Sequence, residues 1–143
     1  MQLREVMTRN PEVVPPTATL EEAARKMDQL DVGPLPVCEG DRLIGLVTDR
    51  DITVRATSAG KDPRSTPIAE AMSKDLVYCF EDQDVRDAAR IMEDKQIRRV
   101  PVLNREHRLV GIVSLGDLAT TGRDDRMTGE VLERVSEPGQ PDR

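Results

Sequence analysis

Gly45-Leu46-Val47-Thr48-Asp49-Arg50-Asp51 occurs a second time, in different spelling, as Gly111-Ile112-Val113-Ser114-Leu115-Gly116-Asp117. In each copy a glycine opens an apolar run, a hydroxyl residue ends it, and an aspartate follows three positions later. The apolar run reads as a strand. The [ST]-x-x-D that follows reads as the first turn of a helix. Two such junctions set the search for a wider repeat, the signature of a duplicated unit.

Working outward, Leu3-Arg4-Glu5-Val6-Met7-Thr8 lies on Ile68-Ala69-Glu70-Ala71-Met72-Ser73 at an offset of 65. The same offset places Leu20, Ala23, Ala24 and Met27 on Val85, Ala88, Ala89 and Met92, and Val32, Leu35, Pro36 and Val37 on Ile97, Val100, Pro101 and Val102. One inserted residue, between Cys38-Glu39-Gly40-Asp41 and Leu103-Asn104-Arg105-Glu106, then makes the offset 66. A hairpin turn tolerates such a change of length.

Each half predicts the same order. A short helical turn ends near Met7 or Met72, and a brief strand follows around Glu12–Val14 or Leu76–Cys79. Next comes a helix with apolar residues at i, i+3, i+4 and i+7, for which Thr19 and Asp84 are suitable N-caps. Two apolar strands flank a polar turn, Leu35–Cys38 with Leu43–Val47 and Val100–Leu103 with Leu109–Val113. A second helix starts after Thr48 or Ser114. Thr66 and Pro67 read as an N-cap and first helical residue. The expected division is repeat one over 1–58, a linker over 59–66, repeat two over 67–122, and a short C-terminal helix with a disordered tail over 123–143. In that last segment Met127, Val131, Leu132 and Val135 share a face. A unit of about 50 residues buries too little alone, so the two repeats are expected to pack together.

Composition narrows the function. With 37% hydrophobic and 34% charged residues the chain is an ordinary globular sequence. Its net charge of −6, one Tyr, one Phe and no Trp argue against nucleic-acid partners and anionic membranes. No apolar run reaches the roughly 20 residues that span a bilayer, and Met1–Val6 lacks the layout of a signal peptide. The expected location is cytoplasmic. Cys38, Cys79 and the single histidine, His107, are too few and too scattered for a zinc site or a His-based triad. Neither a catalytic nor a metal-binding residue is assigned, and no obligatory cofactor is expected.

The M-T/S start, the apolar-Pro-Val strand and the doubled G-h-h-[ST]-x-x-D block resemble the CBS (cystathionine β-synthase) domain family over about residues 3–122. The chain is similar to the small stand-alone bacterial proteins made of one CBS pair, the hypoxic-response type among them. The resemblance implies an α+β (α/β) fold of two β-α-β-β-α repeats packed by pseudo-twofold symmetry into one Bateman module. It also implies a homodimer, and two clefts for AMP, ADP, ATP or another adenosine derivative. Such a module regulates a protein that the sequence does not identify, and is not an enzyme.

A helix N-terminus suits phosphate. A hydroxyl from Thr48 or Ser114 adds a donor, and Asp51 or Asp117 can accept from a ribose diol. Gly45 and Gly111 permit close backbone packing beneath a ligand. The same [ST]-x-x-D pattern is also a capping box, which accounts for all four polar residues without any ligand. Lys95, Arg98, Arg99, Arg105 and Arg108 outnumber Glu106 in the second repeat. The matching stretch of the first has only Arg42 against Asp31, Glu39 and Asp41, with Gly33 and Pro34 in place of the two adjacent arginines. In the family basic residues at this place contact ligand phosphates, so the resemblance implies two unequal sites, one with Arg98 and Arg99 supplying charge to phosphate, unless those arginines pair with surface carboxylates. By family alignment Val13, Val32 and Pro34, and Tyr78 and Ile97, are candidates for the adenine slots or for plain core. Loss of binding in degenerate clefts would leave a structural or protein-interaction module. Arg55 reads as an exposed helix charge.

Overall fold

Leu20, Ala23 and Met27 fall on one face of a helix, as do Ala88, Ala89 and Met92, and burial of those faces holds both expected helices in place. A computed structural model describes residues 1–120; the helix and tail expected over 123–143 lie outside them. In chain order the elements are β1 (Thr8–Arg9), α1 (Leu20–Leu30), β2 (Pro34–Glu39), β3 (Arg42–Thr48) and α2 (Asp49–Asp51), which runs on as a π-helical stretch over Ile52–Thr57. They continue as β4 (Cys79–Phe80), α3 (Val85–Lys95), β5 (Arg99–Leu103), β6 (Leu109–Ser114) and α4 (Leu115–Thr120), with 3-10 turns at Leu3–Glu5 and Ile68–Glu70. This is the mixed α+β fold that the repeat predicts. Ala24 departs from the expected stripe and is exposed, whereas its counterpart Ala89 is buried.

The chain forms two compact units, Glu12–Leu76 and a discontinuous one made of Met1–Pro11 with Val77 onward. Each unit therefore holds the body of one repeat and the opening arm of the other. The arms are residues 1–9 and 66–74, and they do equivalent work. A helix leaves its first N–H groups without intrahelical partners. At α1 the Leu20 N–H donates to the Thr66 carbonyl (3.0 Å) and the Glu21 N–H to the Pro63 carbonyl (3.0 Å). The Glu22 N–H donates to Thr19 Oγ1 (3.2 Å). At α3 the Val85 N–H donates to the Met1 carbonyl (3.0 Å), and the Arg86 N–H to Asp84 Oδ1 (2.9 Å). Thr66 thus caps α1 through its backbone carbonyl, and its side chain does not cap the following 3-10 turn. Pro67 stands at the N-cap of its 3-10 turn, not inside it, with no side-chain cap there.

The arms also extend the sheets. In the discontinuous unit the strand order is β1-β6-β5-β4, parallel only between β5 and β4. Thr8 pairs with Ile112. In the other unit, the antiparallel β2–β3 hairpin is flanked by the bridges Leu46–Ser73 and Val14–Val37. The strand expected at Glu12–Val14 is thus a single bridge, and the one expected over Leu76–Cys79 begins at Cys79. Prolines at 11, 15 and 16 donate no backbone hydrogen bond, which keeps the first of these short. Both hairpins carry an irregularity at the same place, Val37/Cys38 and Val102/Leu103.

Glycine makes the arm contact close. A Cβ on Gly45 would lie 2.8 Å from the Ser73 carbonyl oxygen and 2.9 Å from Met72 Sδ. On Gly111 it would lie 2.5 Å from Met7 Sδ and 2.9 Å from the Thr8 carbonyl oxygen. The space beneath these glycines is filled by the arms, so the close backbone packing expected at both positions is present. Two buried clusters result. One contains Leu3 and Met7 with Ala88, Met92, Val100 and Val113. The other contains Ile68, Ala71 and Met72 with Leu20, Met27, Leu35 and Val47.

Cys38 and Cys79 are free and buried. Burial first, then the charges of Asp41 and Asp87 respectively, pushes each thiol up to about 11. A neutral thiol is thus favoured in the fold. That contribution is complete below the ordinary thiol value near 9 and is lost as pH rises through about 11.

Two outcomes follow from these contacts. Gly45→Ala and Gly111→Ala should each destabilise the fold by about 1–3 kcal/mol, a fall in Tm of roughly 3–10 °C by calorimetry. Gly116→Ala, whose Cβ would meet only Ser114 Oγ at 3.5 Å inside a helix, should cause no loss. With a thiol reagent at pH 8, Cys38 and Cys79 should react roughly a hundredfold more slowly in the folded chain than in denaturant; a fast phase in the native protein would contradict their burial.

Candidate functional site

Thr48 ends β3 in extended conformation, and the next residue is already helical. Its Oγ1 accepts from the Asp51 N–H (3.1 Å) while its own N–H donates to Asp51 Oδ2 (3.0 Å). At the second junction Ser114 Oγ accepts from the Asp117 N–H (3.0 Å), and the Ser114 N–H donates to Asp117 Oδ2 (2.8 Å). Both junctions are closed capping boxes, so the capping reading of the motif holds twice. It does not exhaust the groups. The box takes only Oδ2 of Asp51; Oδ1 lies outside it, 3.8 Å from Arg55 Nε.

The neighbouring strand brings the other residues alongside. Pro34 is the register partner of Thr48, and Arg99 that of Ser114. The Leu115 N–H donates to the Arg98 carbonyl (2.8 Å), which fixes the backbone of Arg98 and Arg99 against the helix start. Val32 and Ile97 are placed by the ends of α1 and α3. Asp31 (φ 54°) and Gln96 (φ 53°) adopt the left-handed conformation. The next N–H then reaches back, Val32 to the Met27 carbonyl (3.0 Å) and Ile97 to the Met92 carbonyl (3.1 Å). Both side chains are half-buried against the cores.

Val13 precedes the bridge of Val14 to β2, and its carbonyl accepts from Lys26 Nζ (3.1 Å). Tyr78 precedes β4. Its ring centroid is 5.6 Å from that of Phe80 and 6.4 Å from that of His107. Phe80 in turn carries the Arg105 guanidinium at 4.1 Å from its centroid, and Asp82 grips that guanidinium through two hydrogen bonds of 3.0 and 2.9 Å. The bonds hold the Asp82 carboxyl below its ordinary value and raise Arg105. Tyr78 is therefore one member of an aromatic cluster, which the sequence hides because Tyr78 and Phe80 are far from His107 along the chain.

The candidates thus separate into Val13, Val32, Pro34, Thr48 and Asp51 in the contiguous unit, and Tyr78, Ile97, Arg98, Arg99, Ser114 and Asp117 in the other. Arg55 is the residue that sequence reading undervalues. It is exposed as expected, but it contacts Asp51 Oδ1 and its Nη1 donates to the Met72 carbonyl (3.4 Å). The i,i+4 spacing from Asp51 was the available signal. Among the described residues there is no group of three or more His, Cys, Asp or Glu that could hold a metal ion, and no helix long and apolar enough to cross a membrane.

The CBS domain model matches residues 3–56 and 68–123. The CBS domain-containing protein YhcV of Bacillus subtilis is 40% identical over 134 residues, 94% of each chain. Hypoxic response protein 1 of Mycobacterium tuberculosis is 39% identical over 117 residues, 81% of each. A solved structure of Hypoxic Response Protein I with two coordinated zinc ions is 37% identical, covers 84% of this chain and 98% of its own, and superposes with a TM-score of 0.77. CBSX2 in complex with AMP shares the fold at 22% identity and a TM-score of 0.75, over 87% and 98% of the two chains. With two matched copies of the domain and relatives aligned over nearly its whole length, this chain belongs to the CBS domain family, as a pair of CBS repeats.

Proposed function

We propose that the chain is a non-catalytic regulatory module that senses adenosine-containing ligands, AMP, ADP, ATP or a close relative, at its two strand-to-helix junctions. The observation that carries this reading is the Asp51 carboxylate. One oxygen completes the capping box, and the other is left beside a cation at the mouth of a helix start. A carboxylate held in one orientation is a good acceptor for a vicinal diol. The side chain of Asp51 is 15% exposed, enough for contact yet largely shielded from competing water. Thr48 Oγ1 accepts within the box, so its proton remains to donate to a phosphate oxygen. Arg98 and Arg99, fixed beside Ser114, supply phosphate charge to the second junction, and Gly33 and Pro34 leave the first without it. Val13, Val32 and Pro34, and Tyr78 and Ile97, supply the apolar walls.

Support beyond the chain is of fold level: another chain of this architecture holds AMP. The same reading has the protein act as a cytoplasmic homodimer on a separate regulated protein, without an obligatory cofactor. Two buried free thiols are consistent with a reducing compartment.

A thermal-shift series tests the reading. Ligand at 100 times its Kd stabilises by about 2.7 kcal/mol, a rise of roughly 5–15 °C for a chain of this size. AMP, ADP, ATP, NAD and S-adenosylmethionine are compared on wild type, Asp51→Ala and Asp117→Ala, and at least one should raise Tm in wild type and lose part of its effect in each variant. Replacing Arg98 and Arg99 with Ala should weaken ATP far more than adenosine. If no nucleotide shifts wild type and native mass spectrometry finds none retained, the closed capping boxes are structural only and the chain is a protein-interaction module.

A further inference from the structure

Asp51, Arg55 and the Met72 carbonyl form a chain of contacts that the capping box does not need. Arg55 Nε is 3.8 Å from Asp51 Oδ1, and Arg55 Nη1 is 3.4 Å from the Met72 carbonyl oxygen. Met72 belongs to the second arm, and the residue after it makes the arm's contact with β3. The Leu46 N–H donates to the Ser73 carbonyl (2.9 Å) and the Ser73 N–H to the Leu46 carbonyl (2.8 Å). One guanidinium thus touches both the acceptor expected to meet a ribose and the segment that completes the unit.

The helix carrying Arg55 is itself unusual. Over Ile52–Thr57 it widens to π geometry, and the Ser58 N–H donates five residues back to the Thr53 carbonyl (3.1 Å). A wide turn is costly for a helix and is commonly kept where it places a working side chain. After Ser114 the described residues Leu115–Thr120 are α-helical. In the sequence repeat Thr121 stands opposite Arg55, so no second arginine is available at that position.

We propose that Arg55 is a positioning residue that sets the affinity of the Asp51 junction and passes its occupancy to the second arm. This rests on the reading that Asp51 meets a ribose diol. A diol donating to Oδ1 competes with Arg55 for that oxygen. Once displaced, Arg55 loses one of its two anchors and holds the Met72 carbonyl less well. Linkage makes the effect reciprocal: if the diol loosens the clamp, the clamp weakens the diol by the same factor.

Hydrogen exchange at the Leu46 and Ser73 amides reads the clamp directly. The Leu20 amide, bonded to Thr66 in the same unit, reports any general loss of stability. Without ligand, Arg55→Ala should speed exchange at Leu46 and Ser73 by roughly two- to fivefold relative to Leu20. Adenosine is the probe, since it carries the diol and no phosphate to attract Arg55, in an Asp117→Ala background that leaves one junction. It should speed the same two amides in the Arg55 protein and leave them unchanged with Arg55→Ala, while 2′,3′-dideoxyadenosine should do neither. Arg55→Ala should bind adenosine roughly two- to fivefold more tightly by calorimetry. Unchanged exchange without ligand, or equal or weaker adenosine binding by Arg55→Ala, overturns the proposal. If adenosine does not bind at all, the sensing reading falls and the coupling with it, while exchange without ligand still decides whether Arg55 is a clamp.

Discussion

The backbone contact between an arm and a glycine is the constraint on which the rest of each unit depends. At Gly45 the Ser73 carbonyl, and at Gly111 the Thr8 carbonyl, come so near that no side chain fits between them. Through that approach the arm pairs with β3 or β6, sets a methionine over the glycine, and carries a carbonyl to the start of the helix across the unit. Without its arm, a body would expose a strand edge and leave helix N–H groups unpaired. It would also lose Leu3 and Met7, or Ile68 and Met72, from its core. Neither repeat is complete by itself, in keeping with the little area that a unit of about 50 residues buries.

The exchange makes the two units unequal in chain order though alike in structure. Glu12–Leu76 is continuous, and its arm follows its body directly. The other unit joins residues at the start of the chain to a body that begins at Val77, so a long loop must close before Leu3 meets Met92. The entropy of closure rises only with the logarithm of length, so the penalty falls more on folding rate than on stability.

How far the sequence speaks for itself depends on the kind of contact. The helices, the hairpins and both capping boxes were legible, because each is set by residues close in the chain. Thr48 with Asp51 and Ser114 with Asp117 are three apart, and the apolar stripe of α1 repeats within two turns. The exchange of arms was not legible, since aligning Met7 with Met72 says that they are alike and not what they touch. For the same reason Gly45 and Gly111 signalled a close backbone approach without naming the arm that makes it. The left-handed ends of α1 and α3 were hidden by Asp31 and Gln96, because such a position advertises itself when the residue is glycine. The meeting of Tyr78, Phe80 and His107 needs β4 beside β5, a parallel pairing that no local pattern encodes.

Capping and binding are usually weighed as rivals for the [ST]-x-x-D residues, but the geometry lets one support the other. A carboxylate swinging freely at a helix start would lose rotamer entropy on meeting a ligand. Asp51 has already surrendered that freedom, because its Oδ2 is bonded to the Thr48 N–H. The folding reaction has oriented the acceptor before any ligand arrives. The same economy limits how strongly occupancy can be felt. Arg55 is 54% exposed and stands 3.8 Å from its partner, and an ion pair of that kind is worth about 1 kcal/mol at most. A ligand cannot shift the arm by more than the contacts it changes, so on the proposed reading the response is graded, about fivefold in affinity at most, and not an all-or-none switch.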